Sequence, residues 1–152
     1  MKETKNKILI ILSVVLIIID QLSKVLVSIY LKSPIGNDFL KLEATTNTGI
    51  AFGLNDSSNI ANIVVIFVVL GLIISFIKRQ NDKIDNKTMV ALSLMVSGGI
   101  SNLIDRFIRG GVLDFIKIYK FPIFNIADIS VVIGWILLIV FILIYSNKKV
   151  GE

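Results

Sequence analysis

Four long apolar runs, each edged by charge, organise the chain. The first, "ILIILSVVLIII" (8–19), is short for a bilayer, which takes about 20 helical residues to cross. Continuing that helix through Asp20 and Lys24 gives a first span of about 8–31. The second covers about 58–77 and ends at Lys78 and Arg79. The third, about 88–108, is less apolar and contains "SGGISNLIDR". The fourth covers about 124–146 and is followed by Lys148 and Lys149. The pattern predicts an all-α polytopic membrane protein with four transmembrane helices, a single domain over residues 1–152.

The connections read differently. In residues 32–58, Leu40, Leu42 and Ala44 alternate with Lys41, Glu43 and Thr45, the period of a strand. Asn47-Thr48-Gly49 is a sequence that turns such a strand back as a small hairpin. The shorter connection, about 109–123, holds Asp114 and a Pro122 suited to a helix start. No internal repeat, low-complexity tract or flexible linker interrupts the pattern.

Composition supports a core formed between helices in lipid. Of 152 residues, 55% are hydrophobic, and the mean hydropathy is +0.85. A net charge of +5 would suit nucleic acid, but the basic residues sit at the ends of apolar runs, where they orient a protein in a bilayer. No nucleic-acid partner is expected. The Lys-rich N-terminus, the 78–87 loop and the C-terminus share one side, the cytoplasmic one. Lys2, Lys5 and Lys7 ahead of the first run imitate a signal peptide. No small-residue cleavage site closes it, so it reads as a retained span.

Two residue types are missing. Without Cys there is no disulfide, thiol nucleophile or thiolate metal site; without His the usual neutral-pH base and the commonest zinc ligand are gone. Acid–base chemistry falls to carboxylates. Asp20, Asp105, Asp114 and Asp128 are the acids not explained as ordinary loop residues. A charge at mid-helix depth costs about 2.5–3.5 kcal/mol on insertion scales, so such groups face the bundle. The topology gathers Asp105, Asp114 and Asp128 at one depth near the outer surface, and periodicity does not choose among them. Two facing carboxylates would push their pKa values apart, activate a water and protonate a leaving amine.

The neighbours have plain readings too. Asp20 and Lys24, four apart, suit a structural pair. Arg106 suits snorkelling or a pair with Asp105, set against a role toward substrate. Asn102, Asp105 and Arg106 share a helix face, and Ser97, Gly98 and Gly99 let a neighbouring helix approach. Asn47 is by default a turn residue, and Asp114 by default a loop acid. Asn125, three before Asp128, is placed to cap the fourth helix. Asp128 has no Lys or Arg within a helical turn.

The blocks "DQLSK" (20–24), "TTNTGIAFG" (45–53), "GGISNLIDRFIRGGVLDFI" (98–116) and "FPIFNIADISVVIG" (121–134) occur in order between the spans. Together they resemble the signature blocks of the lipoprotein signal peptidase (signal peptidase II) family, nearly end to end. The resemblance implies a bacterial cytoplasmic-membrane aspartyl endopeptidase. It implies removal of signal peptides from diacylglyceryl-modified prolipoproteins, with the cut just before the lipidated cysteine. It assigns catalysis to Asp114 and Asp128. It makes Asp20, Lys24, Asn47, Asn102, Asp105, Arg106 and Asn125 supporting residues around the substrate. It turns the outer hairpin into an extracytoplasmic β-cradle over about 32–57. It also implies membrane lipids and globomycin-type inhibitors as partners, an active site near the outer leaflet, and no cofactor or metal. Competing readings are a transporter with an acidic proton relay and a non-catalytic assembly factor. A presenilin- or prepilin-peptidase-type protease needs Gly-x-Gly-Asp, which "GGVLDF" does not match.

Overall fold

The computed structural model of the chain describes residues 2–49, 59–80 and 83–150. Four helices, α1 (Lys2–Tyr30), α2 (Asn59–Gln80), α3 (Asn86–Arg109) and α4 (Ile126–Val150), are long and apolar enough to cross a membrane. Three strands, β1 (Ile35–Gly36), β2 (Leu40–Asn47) and β3 (Val112–Ile118), form an antiparallel sheet in the order β1-β2-β3. The protein is thus a polytopic helical membrane protein with a small sheet.

The helix ends differ from the apolar runs where capping and pairing extend them. α1 starts at Lys2, not near residue 8, and its polar first turns carry a Glu3–Lys7 pair at 2.8 Å. α3 starts at Asn86 because Asp85 caps it, Oδ1 accepting from the Thr88 N–H at 2.7 Å. Hydrogen bonding with the Thr88 side chain, and to a lesser degree with its N–H, holds the Asp85 carboxyl below its ordinary pKa. α4 starts at Ile126, two residues from the expected 124, and Pro122 lies four residues ahead of it. The Phe124 carbonyl accepts from the N–H groups of Phe115 and Ile116, and its own N–H donates back to Ile116. Those bonds hold the approach to α4 extended against β3, in keeping with the extended bias Pro122 places on the residue before it.

The connection holding Asp114 is likewise a strand, not a loop. Gly110 ends α3 in the left-handed conformation (φ 73°), a geometry open to glycine without a Cβ penalty. The chain then turns directly into β3. β2 pairs with β3 in a register that sets Thr45 opposite Asp114 and Asn47 opposite Val112. The hairpin that is described precedes β2: Asn37 Oδ1 accepts from the N–H groups of Phe39 and Leu40 between β1 and β2. The return strand expected after Asn47 lies outside the described residues. So do residues 50–57 of the expected cradle, Ile50 to Gly53 of the "TTNTGIAFG" block, the start of the second span at residue 58, and residues 81 and 82.

α3 is the hub, packing on α1, α2 and α4. It is the least apolar span and the most buried. That combination follows from the bilayer, since polar side chains on a span are cheapest when they face other helices. One side buries Met89, Leu92 and Met95 with Ile77 and Ile84; another buries Val96 and Leu103 with Leu70. The Ser97-Gly98-Gly99 stretch admits the neighbours as expected. A Cβ on Gly98 would stand 2.3 Å from the Ala127 carbonyl oxygen and 2.6 Å from Val131 Cγ2. α4 therefore lies directly on α3 at the level of Ala127, one residue from Asp128.

Gly98→Leu is expected to force α4 away and lower stability by about 1–3 kcal/mol, the usual range for overpacking. Gly71, whose added Cβ meets nothing within 4 Å, is the control: Gly71→Ala should be neutral or slightly stabilising. Thermal unfolding in detergent micelles measures both.

Candidate active site

α4 begins with a reciprocal cap. Asn125 Oδ1 accepts from the Asp128 N–H at 2.9 Å, and Asp128 Oδ2 accepts from the Asn125 N–H at 3.1 Å. This is the geometry of a capping box, with Asp in place of the usual Glu or Gln. The capping role expected for Asn125 is realised, and the amide does more. With its oxygen committed to the helix, Asn125 Nδ2 points away and donates to Asp114 Oδ1 at 2.7 Å and to Asn102 Oδ1 at 3.1 Å. One fully buried side chain thus joins α4, β3 and α3.

Both carboxylates are furnished with N–H donors. Asp114 Oδ2 accepts from Asn47 Nδ2 at 3.0 Å, across the β2–β3 ladder. Asp128 Oδ1 accepts from Asn102 Nδ2 at 2.7 Å. Asp114 is buried, whereas Asp128 is partly exposed, so an approaching molecule meets the pair from the Asp128 side. Burial pushes the Asp114 carboxyl up to about 6, and the nearby Asp128 charge adds to the rise. The hydrogen bonds from Asn47 and Asn125 hold it back.

Asn47 is a turn residue and a site neighbour at once. Its Oδ1 accepts from the Gly49 N–H at 3.0 Å while its Nδ2 serves Asp114. The same turn is held by Arg106, which donates to the Gly49 carbonyl at 3.2 Å. Arg106 therefore reaches toward the sheet. Asp105 bonds to α1, to Arg109 and to the start of β3.

Those partners form a buried ionic cluster beside the Asp114–Asp128 pair. Lys24 and Asp20 pair at 2.7 Å, as their spacing predicts, and Lys24 also meets Asp105 at 2.9 Å. All three are essentially inaccessible. Asp20 accepts from Ser101 Oγ at 2.7 Å and from the Ala127 N–H at 2.9 Å, tying α1 to α3 and to α4. Asp105 accepts from Gln21 Nε2 at 3.0 Å, the Leu113 N–H at 3.0 Å, and Arg109. Asp105 thus anchors the start of β3, while Asp114 and Asp128 face the shared amide. Of the three carboxylates that topology left open, the structure separates one from the other two.

Four participants lack a sequence reading of their own: Gln21, Ser101, Arg109 and Asn62. Arg109 follows Asp105 by four, a spacing that signals a helix pair. Asn62 interrupts an otherwise apolar stretch, and its Nδ2 donates to the Thr48 carbonyl at 3.3 Å beside the same turn. Gln21 and Ser101 carry no comparable signal, because an isolated amide or hydroxyl in a span has many uses.

The chain has close relatives. The signal peptidase (SPase) II family profile matches residues 12–144. A lipoprotein signal peptidase of Borrelia hermsii is 38% identical over 156 residues, covering 89% of this chain and 89% of that protein. One from Staphylococcus aureus is 38% identical, covering 94% and 93%. A solved bacterial membrane enzyme superposes with a TM-score of 0.83 at 32% identity, covering 93% of this chain and 90% of its own. A second gives 0.78 at 33%, covering 89% and 92%.

Because the folded Asp114 carboxyl binds its proton more tightly than the unfolded one, its contribution to stability is complete below about pH 4. It is lost as pH rises through about 6. A rise of about two pH units corresponds to at most about 3 kcal/mol. Parent and Asp114→Asn should therefore diverge in unfolding free energy between those pH values, with the parent relatively weaker at pH 7. Paired denaturation curves at the two ends measure the difference.

Proposed function

The chain belongs to the signal peptidase (SPase) II family, and from that premise we propose that Asp114 and Asp128 form the catalytic dyad of an aspartyl endopeptidase. The protein is a multi-pass bacterial membrane peptidase that removes signal peptides from prolipoproteins. The observation that carries the aspartyl mechanism is the single amide of Asn125, which serves Asp114 through its NH2 and Asp128 through the helix cap. Two acids tied to one small group are a candidate pair for sharing a water and a proton.

In the reaction, a water between the two carboxylates attacks the scissile carbonyl carbon, and one carboxylate takes its proton. The other, protonated, donates to the developing oxyanion. The tetrahedral intermediate collapses as its C–N bond breaks, and a dyad proton passes to the leaving amine. The products are a free carboxyl on the signal peptide and a free amine on the lipidated cysteine. Amide N–H groups of Asn47, Asn102 and Asn125 keep the carboxylates oriented without competing for the proton being moved. Arg106 holds the turn that carries Asn47 and acts on substrate backbone from that side. Asp20, Lys24 and Asp105 fix the helices on which the site stands.

The substrate is a prolipoprotein already carrying a diacylglyceryl group, whose chains lie along the apolar helix surfaces while the peptide reaches the dyad. The Lys-rich ends face the cytoplasm, which puts the sheet and the dyad near the outer leaflet. Globomycin-type peptides bind across the same carboxylates.

Cleavage of a diacylglyceryl-modified prolipoprotein, followed by gel shift, tests the assignment. Asp114→Asn and Asp128→Asn should each insert and fold yet lose about 10³-fold or more in kcat/KM, the scale of losing a group that acts in the transition state. Parent cleavage should stop with globomycin. Retained turnover in either purified variant would exclude the dyad.

A further inference from the structure

The Asn102 amide lies between two unlike groups. Its Nδ2 donates to Asp128 Oδ1 at 2.7 Å, and its Oδ1 accepts from Lys24 Nζ at 3.2 Å and from Asn125 Nδ2 at 3.1 Å. An ammonium has three hydrogens and no lone pair, so it can only donate. Lys24 therefore admits one orientation of the amide, oxygen toward the ammonium and NH2 toward Asp128. Lys24 cannot turn aside. It is 0% exposed, and its other contacts are Asp20 Oδ2 at 2.7 Å and Asp105 Oδ2 at 2.9 Å.

We propose that Lys24 is a positioning residue which, together with the Asn125 NH2 on the same oxygen, fixes the polarity of Asn102, presents an N–H donor to Asp128 and keeps that carboxylate in its proton-accepting form. The inference rests on the dyad reading given above. A donor aimed at a carboxylate favours its ionised form, whereas a carbonyl aimed at the same oxygen is satisfied only by the protonated acid. If Asn102 were free to flip, its oxygen would ask Asp128 to hold a proton at rest. The backbone N–H of Asn125 already occupies the other oxygen of Asp128, so the amide decides the remaining side.

Among the described residues, Asp114 from β3, Arg106 from α3, and Asp20 and Lys24 from α1 act on Asp128, and Asp105 stands beside Lys24 and Arg106. The described charged side chains of α2, Lys78 and Arg79, belong to its last turn. Lys24 is thus a cation whose hydrogen bonds reach Asp128 through a single intervening side chain. The Lys24 charge also opposes the upward displacement of the Asp114 carboxyl.

The deciding variant is the double replacement Lys24→Met with Asp20→Asn, which removes one charge of each sign and leaves Asp105 with Arg109. Asp20→Asn alone, which gives up the carboxylate holding the Ala127 N–H but keeps Lys24 on Asn102, is the reference against which its shift is read. Cleavage of a diacylglyceryl-modified prolipoprotein is measured per mole of folded enzyme from about pH 4 to 9. Both limbs of the kcat/KM profile should move to higher pH by about one unit. The loss, about tenfold or more, should fall on kcat, with KM changing by less than about threefold. A role confined to folding would lower the yield of active enzyme and leave the profile where it was, which would overturn the proposal.

Should the double variant not insert, Asn102→Asp decides. It keeps Lys24 partnered while turning an oxygen toward Asp128, and an unmoved profile there also overturns the proposal. Asp114→Asn and Asp128→Asn run in parallel: lost cleavage in both with an unmoved profile removes the role of Lys24 alone. Cleavage surviving in them removes the dyad itself.

Discussion

The Asn125 amide can serve Asp114 only because its oxygen is already committed to the Asp128 N–H. That commitment is a consequence of starting a helix there. The first turn of any helix leaves N–H groups without intrahelical partners, and in an apolar setting those groups must find acceptors. Asn125 satisfies one such group, Asp128 satisfies the N–H of Asn125, and the NH2 left over is aimed at β3. The site is therefore built from the same requirement that caps α4. No separate device is needed to bring the two acids into register, beyond a strand that carries Asp114 past the cap.

That strand is held by the ionic cluster. Asp105 accepts from the Leu113 N–H, the residue before Asp114, while its other partners come from α1 and from the last turn of α3. Asp20 plays the matching part for α4, accepting from the Ala127 N–H, the residue before Asp128. Each acid of the cluster fixes the backbone neighbour of one of the two candidate acids, Asp114 and Asp128. Two carboxylates, Lys24 and Arg109 together carry no net charge, and every ammonium hydrogen of Lys24 has a partner. Removing one member of such a buried set typically costs about 3–5 kcal/mol. It would also loosen the backbone beside the dyad.

How far the sequence carries the reader can be judged at particular residues. Asp128 and Asn125 were legible, since a carboxylate and an amide three apart at the mouth of an apolar run have few explanations. The Asp20–Lys24 pair was legible from spacing. The partner of Asp128 was not, because Asp105 and Asp114 lie at the same depth and only the family resemblance preferred one. The structure adds a physical difference, in that Asp105 is consumed by Lys24, Gln21, Arg109 and the β3 backbone. β3 itself was read as a connection. Its residues Val112–Ile118 lack clean alternation, as buried strands do, and its strand partners lie 65 to 78 residues earlier. Pairing over that separation leaves no local mark. Pro122 misled for the opposite reason, a strong local signal overridden by the ladder that holds Phe124.

Asp114 shows why such a site is not built for stability. A carboxylate that burial raises toward 6 is one the fold would rather hold protonated, and at neutral pH it costs the protein free energy that an asparagine would not. The cost is kept within bounds by two amide donors, Asn47 and Asn125, supplied from elements on either side. Those amides are themselves locked from behind, Asn47 by the Gly49 N–H and Asn125 by the Asp128 N–H. Neither can turn its oxygen toward Asp114 without giving up a bond already made. Orientation of the donors is thus secured by the turn and the helix start. A fold that had optimised its own burial would have placed Leu at both positions; this one commits a helix cap and a sheet to holding a pair of acids in order.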